Sequence, residues 1–223
     1  MNFTRRQVIG SSAAAGTVAM LSSSSPLLAS VSDVPTAPGP LPVAAAPARV
    51  MVDPVIDHRL LGRARAAFDR HRSRLRHTDI VGITDFSRPS ATPRFYLLDT
   101  NTGRVSTHLV AHGRGSDPAH TGFLHRFSNE MGSNASSNGS YVTGDYYHGR
   151  YGRSLRVSGL DYSNSRAFER AIVVHSAWYA EPEQVTEHGR LGRSEGCFAL
   201  SNLSLREVLA RLGPGRFLYA DRV

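Results

Sequence analysis

Apolar residues first recur at helical spacing near residue 55. In "DPVIDHRLLGRARAAFDRHRSRL", Val55, Ile56, Leu60, Leu61, Ala64, Phe68 and Leu75 share one face and arginines occupy the other, which predicts an amphipathic helix packed on a domain. Asp53 is placed to cap its start, and Pro54 suits the first helical position. Its basic face reads as solvated. Beyond it the period shortens. "DIVGITDF" and "PRFYLLDTNTGRVSTHLVAHG" read as strands, with Asn101, Thr102 and Gly103 turning a hairpin. "YVTGDYY", "RSLRVSG", "RAIVVHSA", "CFALS" and "RFLYAD" are further short strand candidates. Between Ser128 and Ser140 lies a polar stretch without periodicity, the kind of loop that lines sites more often than cores. A late helix is expected in "SLREVLARLGPG", with Ser204 and Glu207 as its capping box and Gly213 and Pro214 ending it. The expected fold is mostly β, a single sandwich or barrel domain with a packed N-terminal helix and a short late one.

The first 49 residues do not fit this pattern. Residues 1–30 carry Arg5 and Arg6, a mildly apolar run from Val8 to Leu21 and small residues near Ala29, the layout of a twin-arginine secretory leader. The apolar run is shorter than the roughly 20 residues a membrane span needs. Residues 31–49, rich in proline and alanine, read as an extended linker. The folded domain is therefore expected over 50–223, and the chain in the periplasm or cell envelope. The net charge is +8, all 26 basic residues being arginine. Such a chain is drawn to anionic surfaces. Nucleic acid is not expected as the partner, because no recognition motif accompanies the charge.

Export changes the meaning of Cys197, the single cysteine. Outside the cytoplasm a lone thiol has no internal disulfide partner and faces oxidation, so its retention suggests use. A cysteine nucleophile needs a base or a positive environment. His175, closing the apolar run "RAIVVHSA", is the candidate base, with His112 in reserve. The amides of Gly196 and Cys197 could face an oxyanion, and Gly196 allows close backbone approach. Glu195 would raise the thiol pKa if it pointed inward, so it is expected to face solvent or a substrate amine.

These residues resemble a known family. "ITDFSRPS", "LVAHGRGS", the segment from Phe127 to His175 and "GRLGRSEGCFALS" are similar to the murein L,D-transpeptidase catalytic domain of the YkuD-like type, in the branch with G-R-x-G-R-S-x-G-C. The resemblance implies a β-rich catalytic fold and a thioester mechanism. Cys197 corresponds to the nucleophile, His175 to the base and the Ser176 carbonyl to the group orienting the imidazole. The amides of Glu195, Gly196 and Cys197 correspond to the oxyanion hole. It further implies attack on a tetrapeptide stem with loss of terminal D-alanine and transfer to an amine. Transfer to water would make a carboxypeptidase, and loss of turnover a wall-binding protein. Better-known members have histidine where Glu195 stands, arginine where Ala199 stands and glycine where Ser176 stands. No cofactor is expected, and the protein is expected to be a monomer.

Arg190, Arg193, His112, Asn129 and Ser194 are the candidates for touching a stem peptide, the arginines through its carboxylates. Ser133, Ser136 and Ser137 are loop residues that line a groove or satisfy the loop itself. Trp178 and Tyr179 either wall the pocket or pack. His112, His120 and His125 lack the accompanying pattern of a zinc site, so no metal is expected.

Overall fold

The computed structural model describes residues 56–223. The expected leader, the linker and the Asp53–Pro54 helix start lie outside the described residues. Helix α1 runs from His58 to His71 and is capped by Asp57, whose carboxylate accepts from the Arg59 and Leu60 amides. That cap lies one turn later than Asp53. The buried stripe of the helix comprises Leu60, Ala64 and Ala67, and Ile56 packs against the same cluster. Leu75 falls beyond the helix, after a 3-10 turn over Arg72–Arg74.

Three strands then form a meander: β1 (Ile80–Asp85), β2 (Phe95–Asp99) and β3 (Val105–His108). A long hairpin follows, β4 (Gly139–Gly149) and β5 (Gly152–Gly159). Strand β6 (Val173–Ser176) connects through helix α2 (Pro182–His188) to β7 (Phe198–Leu200), and helix α3 (Asn202–Leu212) leads into β8 (Phe217–Asp221). All eight strands join one sheet in the order β3-β2-β1-β8-β4-β5-β6-β7. The β1–β8 and β6–β7 pairs are parallel and the others antiparallel. The mostly β, single-domain expectation therefore holds.

Two helix assignments change. The late helix starts at Asn202, because Ser201 is its cap and accepts from the Ser204 amide at 3.1 Å. Glu207, expected in a capping box, instead accepts from Ser106 Oγ at 2.7 Å and Arg211 Nη1 at 3.0 Å. Helix α2 was not anticipated. None of its residues is fully buried, so no apolar period announces it, although Pro182 opens it and left-handed Gly189 (φ 69°) closes it.

The sheet curls. β3 and β7 are its two edges, yet Ala111, three residues past β3, bridges Ala199 of β7, its amide donating to the Ala199 carbonyl at 2.9 Å. Gly113 forms a parallel bridge with Ser194, the Arg114 amide donating to the Ser194 carbonyl at 2.7 Å and the Ser194 amide to the His112 carbonyl at 2.9 Å. A strap of chain over 109–113 thus closes one edge against the other. Inside, Phe198 meets Tyr141 at 5.4 Å and Phe95 at 6.5 Å between ring centroids. On the other face α1 packs onto β8, Phe68 meeting Phe217 edge-on at 5.5 Å.

Candidate active site

The register of β6 and β7 decides which side chains meet. Val174 lies opposite Phe198, and His175 opposite Ala199. Val174 and Phe198 point into the main core. Because side chains alternate along a strand, His175 and Ala199 then point to the other face, and Cys197 sits in the bend directly before β7. The parallel pairing thus sets the segment that carries the sulfur alongside the strand that carries the imidazole. Buried Phe198 anchors the residue directly after the cysteine.

His175 is buried, and its Nδ1–H donates to the Ser176 carbonyl at 2.9 Å. A carbonyl can only accept, so the proton sits on Nδ1 and Nε2 is left as the acceptor. The Tyr151 ring, from the β4–β5 hairpin tip, stacks on the imidazole with centroids 4.4 Å apart. Burial lowers the His175 pKa, against the opposing pull of the Ser176 carbonyl, so the ring is neutral at neutral pH.

Cys197 is partly exposed. Its Sγ–H donates to the Ala171 carbonyl at 3.6 Å, and among the described residues no hydrogen bond joins it to the imidazole. Burial of the sulfur pushes the thiol up to about 11 and Glu195 adds to that, while the Val173 amide and Arg170 act in the opposite sense. The resting pair is therefore neutral thiol and neutral imidazole. Ala171 is one of three non-glycine residues in the left-handed region among the described residues, with φ 54°. Such strain is costly and is held where the surroundings demand it.

The turn before β7 is built from its own atoms. Ser194 Oγ donates to the Cys197 carbonyl at 2.8 Å and accepts from the Gly196 amide at 3.1 Å. The Gly196 amide is thus committed and does not face an oxyanion as expected. Among the described residues the amides of Glu195 and Cys197 have no partner. Gly196 (φ 111°) is required for a different approach from the one anticipated. A methyl group there would come within 2.6 Å of the Ala135 carbonyl, so the tight contact is with the 128–140 loop and not with a ligand. Glu195 is exposed and pairs with Arg114 at 3.0 Å.

The candidates for stem contact are mostly occupied within the fold. His112 is fully buried. Arg94 Nη2 donates to its Nδ1 at 2.7 Å, and its Nε2 faces Asp117 Oδ2 at 3.3 Å. Burial together with the Arg94 charge lowers its pKa to about 3, so His112 cannot serve as the reserve base. Arg193 donates to the Asp117 carbonyl and, at 3.0 Å, to that of Pro118. Asn129 donates to the Tyr162 carbonyl at 2.9 Å and to Ser165 Oγ at 3.0 Å, and accepts from the Arg166 amide at 3.1 Å. Ser194 holds the turn before β7. Half-buried Arg190 is the least committed, its one hydrogen bond being a long 3.4 Å contact to the His188 carbonyl. Ser136 accepts from the Gly113 amide at 3.0 Å and Ser133 from Arg170, so both satisfy the loop. Trp178 is exposed, whereas Tyr179 packs beside the small-residue cluster of Ala111, Ala177 and Ala199. Sequence reasoning passed over Arg94, Arg170, Ala171 and Tyr151. The first two read as ordinary surface arginines, and nothing local marks the others.

Comparison with known proteins supplies the family. A model of the L,D-transpeptidase catalytic domain matches residues 53–220. No curated protein matches the chain. Among solved structures, an L,D-transpeptidase from Mycobacterium smegmatis is 15% identical, over 64% of this chain and 58% of that one, with a TM-score of 0.38. L,D-transpeptidase 3 from Mycobacterium tuberculosis is 16% identical, over 64% and 61%, with a TM-score of 0.38. An L,D-transpeptidase from Xylanimonas cellulosilytica is 16% identical, over 70% and 68%, with a TM-score of 0.38. The chain thus spans about three fifths of the mycobacterial proteins it resembles. With three quarters of its own length matched by the family model, the chain belongs to the L,D-transpeptidase catalytic domain family.

Proposed function

We propose that the protein is an exported cysteine acyltransferase that cross-links peptidoglycan stems. The observation that carries this reading is the parallel pairing of β6, which holds His175, with β7, which Cys197 directly precedes, together with an imidazole held by the Ser176 carbonyl so that Nε2 is free to accept. The thiol proton passes to Nε2. The thiolate attacks the carbonyl that joins the third residue of a tetrapeptide stem to its terminal D-alanine. Charge on the carbonyl oxygen is met by the amides of Glu195 and Cys197, a contribution of about 3 kcal/mol per donor. The C–N bond then breaks, D-alanine leaves with the proton from His175, and a thioester remains. An amine from a second stem attacks that thioester, which releases the sulfur as thiol. Because both groups rest neutral, His175 acts as a general base when the substrate binds, not as half of a standing ion pair.

Two observations favour a second reading, a wall-binding protein without turnover: a thiol pushed up to about 11, and a sulfur hydrogen-bonded to Ala171 rather than to the base. A carbapenem separates the two. Intact-mass measurement should show one covalent adduct on the wild type and none on Cys197→Ala. Absence of an adduct on folded, reduced wild type favours the binding protein. Incubation with defined tetrapeptide muropeptides, with and without an amine acceptor, then distinguishes transfer from hydrolysis.

A further inference from the structure

One charged group beside the nucleophile has no part in these steps. Arg170 lies in the tight bend before β6, half-buried. Its Nη1 donates to the Ser128 carbonyl at 2.7 Å and to Ser137 Oγ at 3.3 Å. Its Nη2 donates to Ser133 Oγ at 3.3 Å and to the Ala135 carbonyl. One guanidinium thus gathers four groups of the polar loop. The same Nη2 borders the nucleophile turn, since a methyl group on Gly196 would come within 3.1 Å of it. The next residue, Ala171, is the one whose carbonyl receives the thiol.

We propose that Arg170 is a positioning residue for Cys197: it clamps the Ser128–Ser137 loop against the nucleophile turn, and its fixed charge favours ionisation of the sulfur. This rests on reading Cys197 as the nucleophile. The other groups facing the sulfur do not supply a positive charge. Glu195 disfavours the thiolate, and its carboxylate is paired with Arg114 at 3.0 Å. The Tyr179 phenol is pushed up by burial and stays neutral. His175 rests neutral as well. The Val173 amide helps the anion, but as a dipole. Among the described residues Arg170 is the cation acting on this thiol, and its planar fork on two carbonyls fixes where that cation stands.

The single cysteine makes the test direct, because alkylation by iodoacetamide, read by intact mass, reports Cys197 alone. In the full chain, Arg170→Gln should alkylate about tenfold more slowly at pH 8, with the midpoint of the pH–rate profile moved up by about one unit. Arg170→Lys keeps the charge and loses the fork, so its profile should stay within about threefold of wild type while loop amides near Ala135 exchange faster. A profile for cooperatively melting Arg170→Gln that superimposes on wild type overturns the proposal. Should that variant fail to melt cooperatively, Arg170→Met is read in the same way: a midpoint raised by about one unit supports the proposal, and an unmoved midpoint overturns it. Alkylation needs no stem peptide, so an outcome here stands apart from the outcome of the muropeptide experiment.

Discussion

The two flanks of the sheet are built on different rules. On the α1 flank, Leu60, Ala64 and Ala67 press onto Phe217 and Tyr219, and apolar burial does the stabilising. Every non-glycine residue there has ordinary backbone angles among the described residues. Around the thiol the pattern reverses. All three non-glycine residues with positive φ border this region: His120, whose ring meets the Leu191 carbonyl at 3.0 Å, Asn134 in the loop under the strap, and Ala171. Fully buried Arg94, His112 and Asp117 form a polar core beneath the strap, where Arg94 is pulled down to about 9 by burial. Strain and buried charge cost stability and are kept where geometry matters more than burial. The α1 flank holds the domain together by apolar burial, and the β6–β7 flank carries the thiol, the imidazole and the buried polar groups.

Substitutions can break that contrast. Cys197→Ala should abolish carbapenem acylation while the melting temperature stays within a few degrees, since only a half-exposed thiol is removed. His175→Ala should slow acylation by about 10²- to 10⁴-fold near neutral pH, measured as the rate of adduct formation. If it does not, general-base catalysis by His175 is wrong. On the opposite flank, Phe217→Ala should cost about 3–5 kcal/mol in denaturant unfolding, and acylation per folded molecule should be unchanged. Acidification should act through the buried polar core. His112 stays neutral in the native state down to about pH 3, whereas the unfolded imidazole takes up a proton near its ordinary 6.5. Between those values the unfolded state binds more protons, so stability falls as pH falls, and the urea midpoint should drop from pH 7 to pH 4. The smallest effect is a single swap made twice. Ala67→Gly in the middle of α1 should lower stability by about 1 kcal/mol. Ala171→Gly relieves a left-handed alanine and should raise it by less than about 1 kcal/mol. Equal signs for the two would erase the contrast.

Much of this was legible along the chain because alternation is a local signal. The β1–β3 meander, the β4–β5 hairpin and β6 followed by β7 all announce themselves by short apolar runs between turn residues. His175 falls within β6 and Cys197 directly before β7, two of the strands that those apolar runs predict. What stayed hidden depends on pairing across long separations. Arg170 meets a loop 33–42 residues earlier in the chain. Arg193 finds carbonyls 75 and 76 residues away. A guanidinium reads the same in sequence whether it will hold a ligand or a backbone oxygen, and so Arg193 and His112 looked like substrate contacts. Ser194, expected to touch substrate, has a hydroxyl that closes the turn before β7, which only the folded backbone reveals.

The bridge from Ala111 to Ala199 has one more effect. A terminal strand with vacant amides and carbonyls is a template on which a second molecule can zip, and short strands such as β7 are protected from this chiefly by whatever lies alongside. Residues 109–113 act as that guard rail, so the margin nearest Cys197 is shielded from sticking to its own kind.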